Sequence, residues 1–152
     1  MFVIREDDLS GEATRALLAL HLAGMHASSP PGSVFALDVS ALQTTDITVW
    51  TVWDGDMIVG VGALRELGHG VGEVKSMRTH PDHTRRGVAA SLLDHLIGEA
   101  GRRGLVRLSL ETGSGPGFEA AVSLYRRRGF VDGEPFSTYE RSPFNQFLHL
   151  QL

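Results

Sequence analysis

The chain has 152 residues, the usual length of one globular domain, of which 42% are hydrophobic and 21% are charged. This balance argues against a disordered chain, and the absence of cysteine excludes disulfide frameworks, thiolate metal sites and a cysteine nucleophile. A formal net charge of -4 without a long basic run argues against nucleic acid as the main partner. We expect one cytoplasmic domain over residues 1–152, without a membrane-spanning segment.

The N-terminal part of the chain is predicted to form a strand, a helix and a break. Met1–Arg5 is typical of an opening strand, and Ser10 is placed to cap a helix. Apolar residues then recur at helical spacing, at Ala13, Leu17, Leu20 and Met25. Two prolines and a glycine lie within residues 26–33, which predicts that the helix ends before His26 and that this whole stretch is not helical. A short second helix is expected over Leu37–Leu42.

The middle of the chain is predicted to hold three strands and a helix. Ile47–Trp53 and Met57–Leu64 are rich in β-forming residues and are separated by three turn-forming residues, which predicts a hairpin. Val71–Thr79 is a further strand. Apolar residues at helical spacing then predict an amphipathic helix over Val88–Arg103, with Gly104 as its C-cap.

The C-terminal part is predicted to complete a mixed sheet. Leu105–Leu110 is a strand, Phe118–Arg128 is a helix, and Phe144–Leu152 closes the chain as a strand. The element order is β-α-α-β-β-β-α-β-α-β-β, which favours an α+β fold with helices on both faces of a mostly antiparallel sheet. The helix at 88–103 and the strands on either side of it form one right-handed parallel β-α-β crossover. We expect function at the carboxyl ends of the two parallel strands.

The turn before the helix at 88–103 has the character of an anion site. The N-terminus of a helix carries unpaired N–H groups and a partial positive charge. Gly87 and Ala89 keep large side chains away from this backbone, and Arg85 and Arg86 add positive charge beside it. A phosphate group can therefore approach the backbone here.

Two motifs resemble those of the GNAT superfamily of N-acetyltransferases. The superfamily's coenzyme-A-binding pattern, Arg/Gln-x-x-Gly-x-Gly/Ala, is similar to Thr84-Arg85-Arg86-Gly87-Val88-Ala89, with Thr84 at the Arg/Gln position. Its Ala-x-x-Leu-Tyr-x-x-x-Gly-Phe signature is similar to Ala121-Val122-Ser123-Leu124-Tyr125-Arg126-Arg127-Arg128-Gly129-Phe130. Phe118 stands where many members have asparagine. Both motifs have the family's order and separation, so the resemblance covers nearly the whole chain and implies the acyl-CoA N-acyltransferase fold.

The resemblance implies a specific reaction and a cofactor site. We expect transfer of an acetyl group from acetyl-coenzyme A to a primary amine of a small molecule, by direct attack in a ternary complex and without a metal. Backbone groups of Met77 and Thr79 would hold the pantetheine arm, and the amides from Arg85 to Ala90 would hold the pyrophosphate. The residues expected to bind the cofactor are Met77, Arg78, Thr79, Arg85, Arg86, Gly87, Val88, Ala89 and Ala90.

The resemblance also assigns candidate catalytic residues. Tyr125 matches the family's tyrosine and is expected to act as the general acid that protonates the leaving thiolate, although a core aromatic would fit the same spacing. Glu73 and Glu111 lie on the two parallel strands and are candidates for the general base. Glu73 is the better candidate because several family members use a glutamate on that strand. An ordered chain of water molecules is the remaining alternative.

Several alternatives stay open at this stage. A long, open acceptor groove would favour acetylation of a protein N-terminus or lysine, and loss of the acid would favour a non-catalytic coenzyme A sensor. The segments 28–33 and 139–143 either shape the acceptor pocket or only connect elements. Homodimers are common in the family. His21 and His26 diverge on their helix and are predicted to lie on the surface.

Overall fold

A seven-stranded mixed sheet with helices on both faces forms the centre of the structure, a computed structural model that describes residues 1–152. The strands are β1 (Val3–Asp7), β2 (Ile47–Asp54), β3 (Met57–Gly68), β4 (Val71–Thr79), β5 (Arg107–Gly113), β6 (Val131–Asp132) and β7 (Asn145–Gln151). The helices are α1 (Glu12–Ser28), α2 (Val39–Leu42), α3 (Val88–Arg102) and α4 (Glu119–Arg127). Short 3-10 turns cover Pro81–His83 and Pro116–Phe118.

The predicted order of elements is confirmed. The strands are arranged β1-β2-β3-β4-β5-β7-β6, and β4 with β5 is the parallel pair in an otherwise antiparallel sheet. The bounds of β4 agree with the prediction, and α3 ends one residue early. β3 and β5 end later than predicted, because hydrogen bonds to neighbouring strands continue past their most apolar residues, and β5 begins two residues after the predicted start at Leu105.

The predicted start and end of the first helix are wrong. Gly11 occupies the N-cap position of α1, while the Ser10 hydroxyl donates to Asp8 Oδ1 at 2.6 Å. The helix continues to Ser28, so the break begins later than predicted. Ser29, which precedes two prolines, is extended with φ -130 and ψ 146. Because a proline disfavours helical backbone for the residue immediately before it, α1 runs almost to the prolines and ends at Ser28.

Two hydrophobic cores lie on opposite faces of the sheet. The larger core packs α3 and α4 against the central and C-terminal strands, and the smaller one packs α1 and α2 against β2 and β3. Val74 belongs to the larger core. Since successive side chains of a strand alternate between faces, Glu73 and Lys75 point to the opposite face, the α1 face. None of the helices is long and apolar enough to cross a bilayer.

A gap opens between β4 and β5, which we call the wedge. The two strands pair only from Val71–Glu73 to Arg107–Ser109, although both continue further along the sheet. β4 is distorted just beyond this point, where its register with β3 shifts and Ser76 has a φ of 57. Such a bulge bends a strand away from its neighbour. The carboxyl ends of the parallel strands therefore leave backbone edges available to a ligand.

Candidate active site

The turn before α3 presents unpaired backbone amides. Gly87 is the N-cap with a φ of 83, and no side chain caps the helix. The first hydrogen bond of the helix runs from the Ser91 amide to the Gly87 carbonyl at 3.0 Å, so the amides of Val88, Ala89 and Ala90 have no partner in the protein. A Cβ atom on Gly87 would meet nothing within 4 Å. The turn is open, positively polarised and suited to a phosphate.

The two arginines of this turn differ in their engagement. Arg86 donates to Asp54 Oδ2 at 2.8 Å and contacts His83 Nδ1 at 2.7 Å. Arg85 is exposed, has a left-handed φ of 63, and its side chain makes no hydrogen bond or ion pair with the protein. Arg85 is therefore the arginine available to an anion at this turn.

The end of β4 offers one free backbone edge to the wedge. The His80 amide donates to the Val59 carbonyl of β3 at 2.8 Å. Backbone groups of a strand alternate between its two edges, so Arg78 also faces β3, while Met77 and Thr79 face the wedge. The structure thus brings the backbone of Met77 and Thr79 to the wedge but not that of Arg78, whose side chain runs to α1 instead.

Tyr125 lies in the larger core. It is 6% exposed on α4 and packs edge-to-face on Phe130, with ring centroids 5.7 Å apart. Its hydroxyl makes no hydrogen bond within the protein, and it is not among the fully enclosed unpaired polar atoms. Burial raises the pKa of Tyr125 to about 12, so the phenol remains a proton donor at neutral pH. Phe118, the departure from the family pattern, packs edge-to-face on Phe144.

A buried triad of polar side chains lies on the α1 face. Lys75 Nζ is 3.1 Å from Glu73 Oε2 and donates to Tyr139 Oη at 2.7 Å, while the Tyr139 hydroxyl donates to the same Glu73 oxygen. The side chains of Lys75 and Glu73 are 7% and 2% exposed. Burial, followed by the charge of Glu73, raises the pKa of Tyr139. Glu73 Oε2 is therefore occupied by two donors.

Glu111 lies beside this triad on the same face. Glu73 is in register with Ser109 across the parallel pair, and Glu111 is two residues further along β5, where the wedge has opened. Its side chain is half-buried. Burial raises the pKa of Glu111 to about 7, against the opposing effects of the Asn145 amide and the Lys75 charge. A carboxylate with this pKa is suited to proton transfer at neutral pH.

Two connecting segments cover the triad. Phe35, between α1 and α2, meets Tyr139 edge-on with ring centroids 5.3 Å apart, and Phe136 does the same from the segment before β7 at 5.2 Å. Sequence reasoning missed Lys75 as a site residue, and it named Tyr139 only as part of the segment 139–143, for which a role in the acceptor pocket was one of two alternatives. The spacing of Glu73 and Lys75 would have placed both on one face of β4. Nothing local in the sequence indicates the contact of Tyr139 with β4, 64 residues away.

Comparisons with known proteins agree with this geometry. The profile of the acetyltransferase (GNAT) family matches residues 15–130. YedL of Escherichia coli, an uncharacterized N-acetyltransferase, is 49% identical over 100% of this chain and 96% of its own length. YsnE of Bacillus subtilis, also an uncharacterized N-acetyltransferase, is 46% identical over 98% of this chain and 99% of its own length.

Solved structures share the fold. A Klebsiella pneumoniae protein assigned to the acyl-CoA N-acyltransferases has a TM-score of 0.81 and 25% identity, over 100% of this chain and 98% of that chain. A Bacillus subtilis acetyltransferase in complex with CoA has a TM-score of 0.75 and 18% identity, over 100% of this chain and 99% of that chain. The expected acyl-CoA N-acyltransferase fold is confirmed.

Proposed function

This chain belongs to the acetyltransferase (GNAT) family, and from that premise we propose that it acetylates the primary amine of a small molecule. It is an acetyl-coenzyme A-dependent N-acetyltransferase. The covered α1 face is the observation that carries the choice of a small acceptor. Glu73 is 2% exposed there. Phe35 and Phe136, from two connecting segments, each pack edge-on against Tyr139 of the triad. A protein chain as acceptor would need a long open groove instead.

We propose that acetyl-coenzyme A lies along the wedge with its pyrophosphate at the N-terminus of α3. Three unpaired amides and the open position at Gly87 support the phosphate end of this arrangement. The free backbone edges of Met77 and Thr79 support the pantetheine end. The thioester then lies where β4 and β5 separate.

The proposed acid and base approach the wedge from opposite faces of the sheet. The amine nitrogen attacks the thioester carbon, a carbon–nitrogen bond forms, and the carbon–sulfur bond breaks. The amine loses its proton to a base on the α1 face, and the sulfur takes a proton from Tyr125 in the larger core. This division suits direct transfer, because the acceptor and the leaving thiol each have their own proton partner.

We propose Glu111 as the base and Glu73 as a positioning residue. The resemblance favoured Glu73, yet one of its oxygens already accepts from Lys75 and Tyr139, so protonating this carboxylate disrupts a buried ion pair. Glu111 has no ion pair and lies on β5 two residues beyond the last pair with β4, on the α1 face. Glu73 instead fixes Lys75 and Tyr139 around the acceptor.

Ligand binding and thiol release test this function. Saturating acetyl-coenzyme A at about 100 times its Kd is expected to add about 2.7 kcal/mol to the free energy of unfolding, raising Tm by about 5 to 10 °C. ATP and NAD serve as controls and are expected to give no shift. Thiol release with small primary amines but not with lysine-containing peptides supports the proposal, and the reverse preference contradicts it.

Replacing Arg85 is expected to weaken cofactor binding through the phosphates. Arg85→Ala removes a free cation at the turn and raises the Kd of coenzyme A by about 3- to 10-fold. Arg86→Ala is the matched control, with a smaller expected effect because Arg86 is engaged by Asp54. Calorimetry with coenzyme A and with pantetheine, which lacks the pyrophosphate, separates the effects. Equal losses for both ligands would contradict the assignment.

A further inference from the structure

Arg78 carries a half-buried positive charge without an acidic partner. Its Nε donates to His21 Nδ1 at 3.0 Å and its Nη2 to the His21 carbonyl at 3.4 Å, while its Nη1 has no partner. None of the ion pairs in the structure includes Arg78. A buried charge is costly unless an opposite charge accompanies it, so this guanidinium is suited to an anionic ligand.

His21 orients the guanidinium without neutralising it. The prediction that His21 lies on the surface is wrong, because its side chain is 5% exposed beneath Arg78. Burial, and then the charge of Arg78, lower the pKa of His21 to about 4. The imidazole is therefore neutral at physiological pH and accepts the Arg78 hydrogen bond at Nδ1. The pair keeps one full positive charge.

Gly24 leaves the space that the guanidinium occupies. A Cβ atom at Gly24 would lie 2.9 Å from Arg78 Nη2 and 3.3 Å from its Cζ. Glycine within a helix costs about 1 kcal/mol relative to alanine. The absence of a side chain at Gly24 therefore lets the Arg78 guanidinium pack closely against α1. This close packing holds the Arg78 side chain in one orientation.

The position of Arg78 separates it from the phosphate site. Arg78 is in register with Val61 of the smaller core, and its side chain contacts α1, so it lies on the α1 face with the buried triad. The uncapped N-terminus of α3 packs on the other face. A ligand group that meets Arg78 therefore belongs to the acceptor side.

We propose that Arg78 binds a carboxylate of the acceptor, so that the acceptor is an amine that also carries a carboxylate, as amino acids do. A planar guanidinium matches a carboxylate through parallel N–H donors. This inference rests on the proposed function and deepens it, since it names the substrate class of the same site. Arg78 is a binding residue, and the proton transfers remain with Glu111 and Tyr125.

N-acetylated amino acids test the inference, because they are the products such an enzyme would release. A set with different side chains is titrated by calorimetry into the protein saturated with coenzyme A, each beside its carboxamide. We expect the acids that bind to do so about 10- to 100-fold more tightly than their amides. In Arg78→Gln this preference is lost, while the Kd of coenzyme A stays within about twofold.

Two further variants keep the test independent of folding. Arg78→Lys retains the charge but not the planar donor pair, so part of the preference should remain. Arg15→Gln is the matched control, since Arg15 lies on α1, the helix that Arg78 contacts, and its Nε donates to the Leu9 carbonyl instead.

Equal binding of acids and amides, or no binding of either, would overturn the inference. So would weaker coenzyme A binding in Arg78→Gln with the acid preference intact, because Arg78 would then serve the cofactor. Failure of the wild-type protein to bind coenzyme A is a separate result, which would count against the proposed function itself.

Discussion

Tyr125→Phe is expected to lower kcat by about 100- to 10,000-fold, while the Kd of acetyl-coenzyme A changes by no more than about twofold. The substitution removes only the hydroxyl, which has no hydrogen-bond partner in the protein. The ring keeps its packing against Phe130, so Tm should change little. Loss of proton donation to the leaving sulfur would therefore appear in kcat, which single-turnover thiol release measures directly.

The other tyrosine of the chain supplies the control. Tyr139→Phe removes a hydroxyl that bonds to Glu73 and Lys75, so it disturbs the acceptor side rather than the leaving group. We expect it to raise KM for the amine more than it lowers the rate of thiol release. Unchanged turnover in Tyr125→Phe would mean that Tyr125 is only a core aromatic.

Glu111→Gln is expected to lower kcat by about 100- to 10,000-fold and, at the same time, to stabilise the fold. In the wild-type protein kcat/KM should rise with pH through about 7, as Glu111 loses its proton and becomes competent as a base. The variant should lack this inflection. A pH–rate profile over about pH 5.5 to 9 measures both the fall in kcat and the loss of the inflection.

The effect on stability has a definite sign. Unfolding returns Glu111 to an ordinary pKa of about 4.5. Between that pH and about 7 the unfolded chain loses a proton that the folded chain keeps, so the free energy of unfolding falls as pH rises. Removing the charge should therefore stabilise the protein at pH 8 by about 1 to 3 kcal/mol, after allowance for the partial exposure of the group.

Glu73→Gln provides the opposite control for stability. It leaves the Lys75 ammonium buried without its acidic partner, which costs about 3 to 5 kcal/mol when a buried pair is broken. Denaturant unfolding at pH 8 should thus move the two variants in opposite directions. Destabilisation of Glu111→Gln would contradict the raised pKa of Glu111, and a pH–rate inflection that survives in the variant would exclude Glu111 as the base.

Local sequence patterns predicted most of the fold because each element depends on residues close together in the chain. The apolar spacing after Gly87 and the β-forming run up to Thr79 mark α3 and β4 to within one residue. Helix ends were less predictable: Ser10 bonds to Asp8 rather than capping α1, since competing hydrogen bonds of short side chains have similar energies.

The candidate site was predictable only where it follows a motif. The phosphate turn and Tyr125 are carried by family patterns, so the sequence alone indicated them. The choice between Glu73 and Glu111 depends instead on Lys75 and Tyr139, which come together through contacts between distant segments. Likewise, no local pattern shows that Arg78 lacks an acidic partner, because that property depends on everything that packs around it.

The short junction between β4 and β5 makes the sheet unequal in strength. Three residue pairs join these strands, whereas seven join β5 to β7, so only a short ladder holds the strands β5, β7 and β6 to the rest of the sheet. Weakly paired segments separate before well-paired ones. A coenzyme bound along the free edge of β4, as proposed above, would hold the two strands together. We therefore expect the resistance of the enzyme to proteolysis to rise with the concentration of its own co-substrate.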